Sequence, residues 1–242
     1  MALYDGDALI QSSSDSVLPD ANPYPNWKQE EHALLLDAVA RLGVHEGALL
    51  DVGCFSGMFL ENAKKRGFSV VGVEPNREAF VRLRNQTQLD VLHGSLSSAR
   101  FSADRFSVVS LLDVIEHVSD PVAELQEAFR VLRPGGILVL TTPNVAGIPQ
   151  RVVKAKRRLF RQEWCPIDDV PWHLWGFTAS TLSRCVENAA FKVRLLRWLK
   201  PSQLTTNIGA GSSLAKRVGL RMLGEASRAP YMSDRMALFS QK

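Results

Sequence analysis

Cysteine is scarce in this chain of 242 residues: Cys54, Cys165 and Cys185 are the only three, they lie far apart, and none forms a C-x-x-C pair. That excludes a disulfide framework and a thiolate zinc site as organising devices, and it suits a reducing compartment. The five histidines, His32, His45, His93, His117 and His173, show no ligand spacing, so no metal is expected from the sequence. No apolar run approaches the roughly 20 residues that cross a bilayer. The first residues lack the basic start and apolar core of a secretion signal. A soluble, cytoplasmic protein is the expectation. An excess of one charge is also missing. The formal net charge is +4 with 22% charged residues, too mild and too dispersed to argue for nucleic acid.

What is present is a 45% hydrophobic chain, long enough for one domain with a full core and small additions. Residues 1–25 are rich in Ser, Asp, Pro and Asn and read as a mobile arm. Residues 26–242 read as a single domain: a core over 45–145, a lid over 146–180 and an insertion over 201–233. The spacing of apolar residues predicts a helix over Trp27 to Leu42, ended by Gly43. From Ala48 strands and helices alternate. "ALLDVG", "SVVGVEP", "DVLHGS", "FSVVSLLDV" and "GILVLTTPN" read as strands. Gly57 to Arg66, Arg77 to Asn85 and Pro121 to Leu132 read as helices, the last with Asp120 as N-cap and "RPGG" as its stop. A helix over Thr178 to Ala190 and strands at "FKVRLLRWL" and "DRMALFSQK" complete the pattern, with helical character around Leu214 to Leu223 inside the insertion. Strict alternation means an α/β, doubly wound, mostly parallel sheet with right-handed crossovers.

The turn after the first strand, Gly53-Cys54-Phe55-Ser56-Gly57, is G-x-x-x-G. A dinucleotide fingerprint, G-x-G-x-x-G, needs its second glycine so that the backbone can reach a pyrophosphate. Phe55 stands there, which disfavours NAD. Glu74 ends the second strand, where an acid receives the two hydroxyls of a ribose and repels a 2′-phosphate. An adenosine carrying a non-phosphate tail fits both features.

With "LLDVGCFSGMFL", "VVGVEPN" and the block from "FSVVSLLDVIEHVSDP" to "LVLTTPN", the chain resembles the class I S-adenosylmethionine-dependent methyltransferases. "PWHLWGFTASTLSRCVENAAFKV" resembles the tail of the subgroup that includes the ubiquinone-pathway O-methyltransferase and many sugar and natural-product methyltransferases. The resemblance implies a Rossmann-like seven-stranded sheet with an antiparallel last strand, helices on both faces and lid insertions. It implies S-adenosylmethionine as cofactor and S-adenosylhomocysteine as product. It places Asp51 and Gly53 at the methionine end, Cys54, Ser56 and Gly57 in the turn, and Glu74 on the ribose. Pro75 and Asn76 flank the adenine, Ser95 and Leu96 lie where relatives carry an acid for the adenine amine, and Leu112 and Asp113 meet the methionine portion. His117 falls beside the transfer point.

The implied activity is methyl transfer by in-line displacement to a small-molecule acceptor, a hydroxyl of a phenol, quinol, sugar or natural product. Histidine suits the general base because its pKa lies near neutrality, and His173 and His117 are the two candidates. Glu116 caps a helix, or else binds a metal. "RVVKAKRRLFR", Arg151 to Arg161, carries six basic residues. It reads as a solvated helix on the lid, or as a patch for anionic lipid or phosphate. Trp164, Trp172, Trp175 and Phe177 wall an acceptor pocket or plug the lid onto the sheet. The competing functions are a SAM-binding module without catalysis and an N-methyltransferase acting on a small-molecule amine. Nucleic-acid amine methylation is disfavoured, because "DVIEH" follows the fourth strand in place of an Asn/Asp-Pro-Pro-aromatic motif.

Overall fold

The computed structural model describes residues 26–147, 173–199 and 233–242. Its elements are α1 (Asn26–Arg41), β1 (Gly47–Val52), α2 (Met58–Lys65), β2 (Phe68–Glu74), α3 (Arg77–Gln86), β3 (Asp90–His93), β4 (Phe106–Leu112), α4 (Pro121–Val131), β5 (Leu132–Pro143), α5 (Ala179–Asn188), β6 (Lys192–Trp198) and β7 (Arg235–Gln241). The arm, the basic stretch Arg151–Arg161, Cys165, Trp164 and Trp172 lie outside the described residues. So do most of the lid and all but Ser233 of the insertion, including its expected helix.

The seven strands form one sheet in the order β3-β2-β1-β4-β5-β7-β6. β1 to β5 run parallel, and β7 is antiparallel to both of its neighbours. This is the doubly wound, mostly parallel sheet expected from the sequence. Side chains alternate along each strand, so adjacent residues serve opposite layers. Leu49, Val108, Val139 and Phe239 pack with Leu35, Leu36 and Val39 of α1, Phe59 and Leu60 of α2 and Leu83 of α3. Leu50, Val109, Leu138 and Leu238 pack with Leu125 and Ala128 of α4 and Leu182 and Val186 of α5. Helices therefore cover both faces, which is why the central strands read as mostly apolar runs.

Local signals set the helix ends. Asp120 accepts from the backbone of Val122 and Ala123 and puts Pro121 in the first turn of α4. Thr178 and Thr181 form a capping box on α5. One boundary differs from expectation. "RPGG" does not stop α4; Leu132 already turns extended and pairs with Phe106, so Arg133 to Gly136 form an irregularity inside a twelve-residue β5. Among the described residues no helix is long and apolar enough to cross a membrane.

The order β2-β1-β4 fixes the site. The chain leaves β1 toward β2 on one side and returns to β4 on the other. The crevice outside the carboxyl ends of β1 and β4 is the topological switch point, where open α/β sheets bind ligands.

Candidate active site

The turn at the end of β1 is built for close approach. Gly53 and Gly57 hold φ of 69° and 73°, and Phe55 also has a positive φ, 41°. A Cβ on Gly53 would stand 2.7 Å from Val114 Cγ2, so glycine is required twice over. The turn is tied to β2 by the N–H groups of Gly53 and Cys54, which donate to the Val73 carbonyl at 2.8 and 3.2 Å. Ser56 Oγ accepts from the Met58 N–H at 3.4 Å. Gly57, the N-cap of α2, has no side chain to cap the helix. Cys54 is buried; its thiol is pushed up by burial and by the charges of Asp51 and Glu74, so it packs and does not react.

Glu74 closes the other side. Its Oε2 accepts from the Phe55 N–H at 2.7 Å and its Oε1 from the Asn76 N–H at 2.8 Å. Burial raises its carboxyl, and these two N–H groups oppose that shift. Each oxygen keeps a lone pair for a hydroxyl. Asn76 is also the N-cap of α3, accepting from the Ala79 N–H. Pro75 is exposed, and its carbonyl accepts a hydrogen bond from His93 Nε2 at 3.1 Å. Sequence reasoning missed His93 at this edge, since a lone histidine at a strand end carries no pattern.

Asp51, at the end of β1, is buried and accepts from Ser110 Oγ at 2.6 Å. Burial pushes its carboxyl up to about 7; the Ser110 hydroxyl opposes this and Glu74 adds to it. Ser95 is exposed, its Oγ accepting from the Ser98 N–H at 3.2 Å. The Leu96 side chain is fully buried in the core. Leu112 is half-buried at the end of β4. Asp113, expected at the methionine portion, has φ of 57° and a side chain engaged by Arg235 and Lys28. Those two partners were not legible, because they come from β7 and α1.

Beyond Asp113 the fold gathers three groups that the sequence keeps apart. Glu116 is buried; Oε2 accepts from Thr142 Oγ1 at 3.0 Å, and Oε1 has no hydrogen-bond partner among the described residues. The His117 and His173 rings lie 4.7 Å apart, centroid to centroid. His173 is brought there by the segment that follows it. The N–H groups of Leu174 and Trp175 donate to the Glu116 carbonyl, and Trp175 Nε1 donates to the Val118 carbonyl at 2.8 Å. Trp175 thus staples this segment to the loop after β4, and Phe177 is buried in the core. Burial, with Asp113 nearby, pushes the Glu116 carboxyl up to about 8. One ligand atom from each of Glu116, His117 and His173 falls within 4.8 Å of the others, a carboxylate-and-two-imidazole set able to hold a divalent cation.

A family model described as a methyltransferase domain matches residues 27–196. The chain belongs to that family. Its cofactor is S-adenosylmethionine. The ubiquinone biosynthesis O-methyltransferase of Psychrobacter cryohalolentis is 32% identical over 153 residues, 57% of this chain and 60% of that protein. The protein of the same name from Cereibacter sphaeroides is 34% identical over 101 residues, 40% of this chain and 41% of its own. The chain therefore spans less than two thirds of the length of these curated relatives. Among solved structures, a SAM-dependent methyltransferase from Archaeoglobus fulgidus superposes with a TM-score of 0.58 at 18% identity, over 87% of this chain and 94% of that one. An S-adenosylmethionine-dependent methyltransferase from Mesorhizobium loti gives 0.57 at 16%, over 85% and 96%. At such identities the likeness carries the fold.

Proposed function

We propose that this methyltransferase-family chain moves a methyl group from S-adenosylmethionine to a hydroxyl of a small-molecule acceptor, a phenol or quinol, a sugar or another natural product, in the cytoplasm. The observation that carries the reading is the pairing of His117 and His173 beside the carboxyl end of β4. The relatives named as O-methyltransferases support the choice of oxygen.

When bound, the cofactor supplies a methyl activated on a sulfonium. Glu74 takes the ribose hydroxyls, and the Gly53–Gly57 turn admits the ribose and the start of the tail. Asp51 faces the amino group. Pro75, Asn76, Ser95 and the Leu96 backbone border the adenine. The stapled segment around His173 covers the transfer point and keeps water out. His173 takes the acceptor's hydroxyl proton as the oxygen bonds to the methyl carbon and the carbon–sulfur bond breaks, leaving S-adenosylhomocysteine. His117 orients the His173 ring. General bases of this kind contribute about 10²–10⁴-fold.

The test is methyl transfer from labelled cofactor to a panel of phenols and sugar nucleotides. His173→Ala is expected to lower kcat by about 10²–10⁴-fold and to leave cofactor affinity unchanged. Full activity in that variant overturns the role of His173. Cofactor binding with no transfer to any hydroxyl or amine favours a non-catalytic module, and transfer to amines alone favours N-methylation.

A second reading of the same wall follows from Glu116 Oε1, which has no hydrogen-bond partner among the described residues. Glu116, His117 and His173 would hold a divalent cation that binds the acceptor oxygen and lowers its pKa. Protein dialysed against a chelator separates the two readings: activity lost and restored by added cation supports the cation, and unchanged activity supports the base.

A further inference from the structure

Four charged side chains close a ring at the edge of the crevice. Lys28 Nζ lies 2.9 Å from Asp113 Oδ2 and 3.3 Å from Glu31 Oε1. Arg235 Nη2 donates to both oxygens of Asp113, at 2.7 and 2.5 Å, and its Nη1 to Glu31 Oε2 at 2.5 Å. Charges alternate around the ring, two positive and two negative. It joins three elements distant in sequence: the first turns of α1, the end of β4 and the start of β7. The ring is not equally exposed. The Arg235 and Glu31 side chains are 7% and 6% exposed, whereas Asp113 is 32% exposed. The Trp27 indole flanks the two cations, 5.1 Å from Lys28 Nζ and 5.7 Å from the Arg235 guanidinium carbon.

Isolated, a buried Arg235 would be costly, and so would Glu31. Paired in a ring they hold Asp113 in one place. Burial alone would raise the Asp113 carboxyl, but the charges of Arg235 and Lys28 outweigh it and hold it well below the usual carboxylate range. The backbone of Asp113 is fixed as well, its N–H donating to the carbonyl and hydroxyl of Thr141, both at 3.0 Å. Asp113 directly follows β4, across the switch point from Glu74. A ligand with its ribose on Glu74 and its tail crossing β1 brings that tail to Asp113.

We infer that Arg235, Lys28 and Glu31 are positioning residues that lock Asp113 and the first turns of α1 against the tail of the cofactor. The inference rests on the cofactor orientation given above, ribose at Glu74 and tail at β4. A lock of this kind acts on one half of the ligand, and general loosening of the fold acts on both.

Calorimetry on the full chain separates these. S-adenosylhomocysteine carries the amino-acid tail, and 5′-methylthioadenosine lacks it. Arg235→Lys, too short to reach both carboxylates, is expected to weaken S-adenosylhomocysteine at least tenfold and to change methylthioadenosine less than twofold. Lys28→Met, at a corner of the ring more exposed than Arg235, is the second variant should Arg235→Lys fail to fold, with the same selectivity expected. Equal weakening of both ligands, or of neither, overturns the inference while leaving the cofactor assignment standing. A wild-type protein that binds neither ligand sinks the cofactor orientation, and the inference with it.

Discussion

The hydroxyl of Ser110 donates to Asp51 Oδ1 at 2.6 Å, both side chains buried where β4 and β1 run side by side. A single donor does not offset the burial of that carboxylate, so Asp51 stays protonated up to about pH 7 in the free protein. An ammonium brought beside it favours the ionised form and expels the proton.

The first expected outcome follows. Below pH 7, S-adenosylhomocysteine binding releases close to one proton into the buffer, and the release fades as the pH rises past 7. Titrations in two buffers of different ionisation enthalpy measure it. Asp51→Asn abolishes the release and lowers affinity. Equal heats in both buffers at pH 6 sink the assignment of Asp51 to the amino group.

Glu74 gives the second. Its carboxylate is held by the Phe55 and Asn76 N–H groups in the orientation that leaves lone pairs facing the crevice. Hydrogen bonds to a charged group are worth about 1.5–3 kcal/mol each, so Glu74→Ala should weaken the cofactor about 100-fold or more. Glu74→Gln should lie between the two, since its amide accepts through one oxygen only. Wild-type affinity in Glu74→Ala refutes the ribose role.

These two acids were legible because each sits in a local pattern. Asp51 precedes the G-x-x-x-G turn and Glu74 ends the next apolar run. The strands were equally plain, since burial on both faces leaves mostly apolar stretches such as Phe106 to Leu112, interrupted only by Ser107 and Ser110. Glu31, Arg235 and their hold on Asp113 were not legible. Glu31 and Arg235 lie 204 residues apart, and only the pairing of β7 beside β5 brings them together. Likewise no spacing predicts that His173 meets His117; the backbone staple to Glu116 does that. "RPGG" misled because a glycine pair that ends a helix and one that interrupts a strand look alike before pairing partners are known.

His32 carries the third. It is buried on α1, edge-on to Phe59 at 5.2 Å, with Asn62 Nδ2 3.5 Å from its Nδ1. Burial, helped by the Lys28 charge, lowers its pKa from 6.5 to about 4. Between those values the unfolded chain binds a proton that the folded chain refuses, so stability falls as pH drops from 6.5 toward 4. His32→Leu removes that proton. The difference in urea midpoint between variant and wild type is expected to shift in the variant's favour across this window and to be flat above pH 7. A pH-independent difference refutes it.

The last concerns Gly72, in the middle of β2. A Cβ there would meet Cys54 Sγ at 2.7 Å and Leu60 Cδ1 at 2.9 Å. Leu60 can swing its methyl aside, but Cys54 is fixed by the turn, its N–H bound to Val73. Overpacking of this kind costs about 1–3 kcal/mol, so Gly72→Ala is expected to lower the unfolding free energy by that much and the urea midpoint with it. Cys54→Ala removes the sulfur and opens the space that the new methyl needs. The double variant should therefore recover more than half of the loss, a coupling that additive, independent sites would not show. Each variant with its thermal and urea midpoints completes the cycle. Strict additivity would mean that Gly72 is kept for the strand backbone and that Cys54 is not the neighbour that requires it.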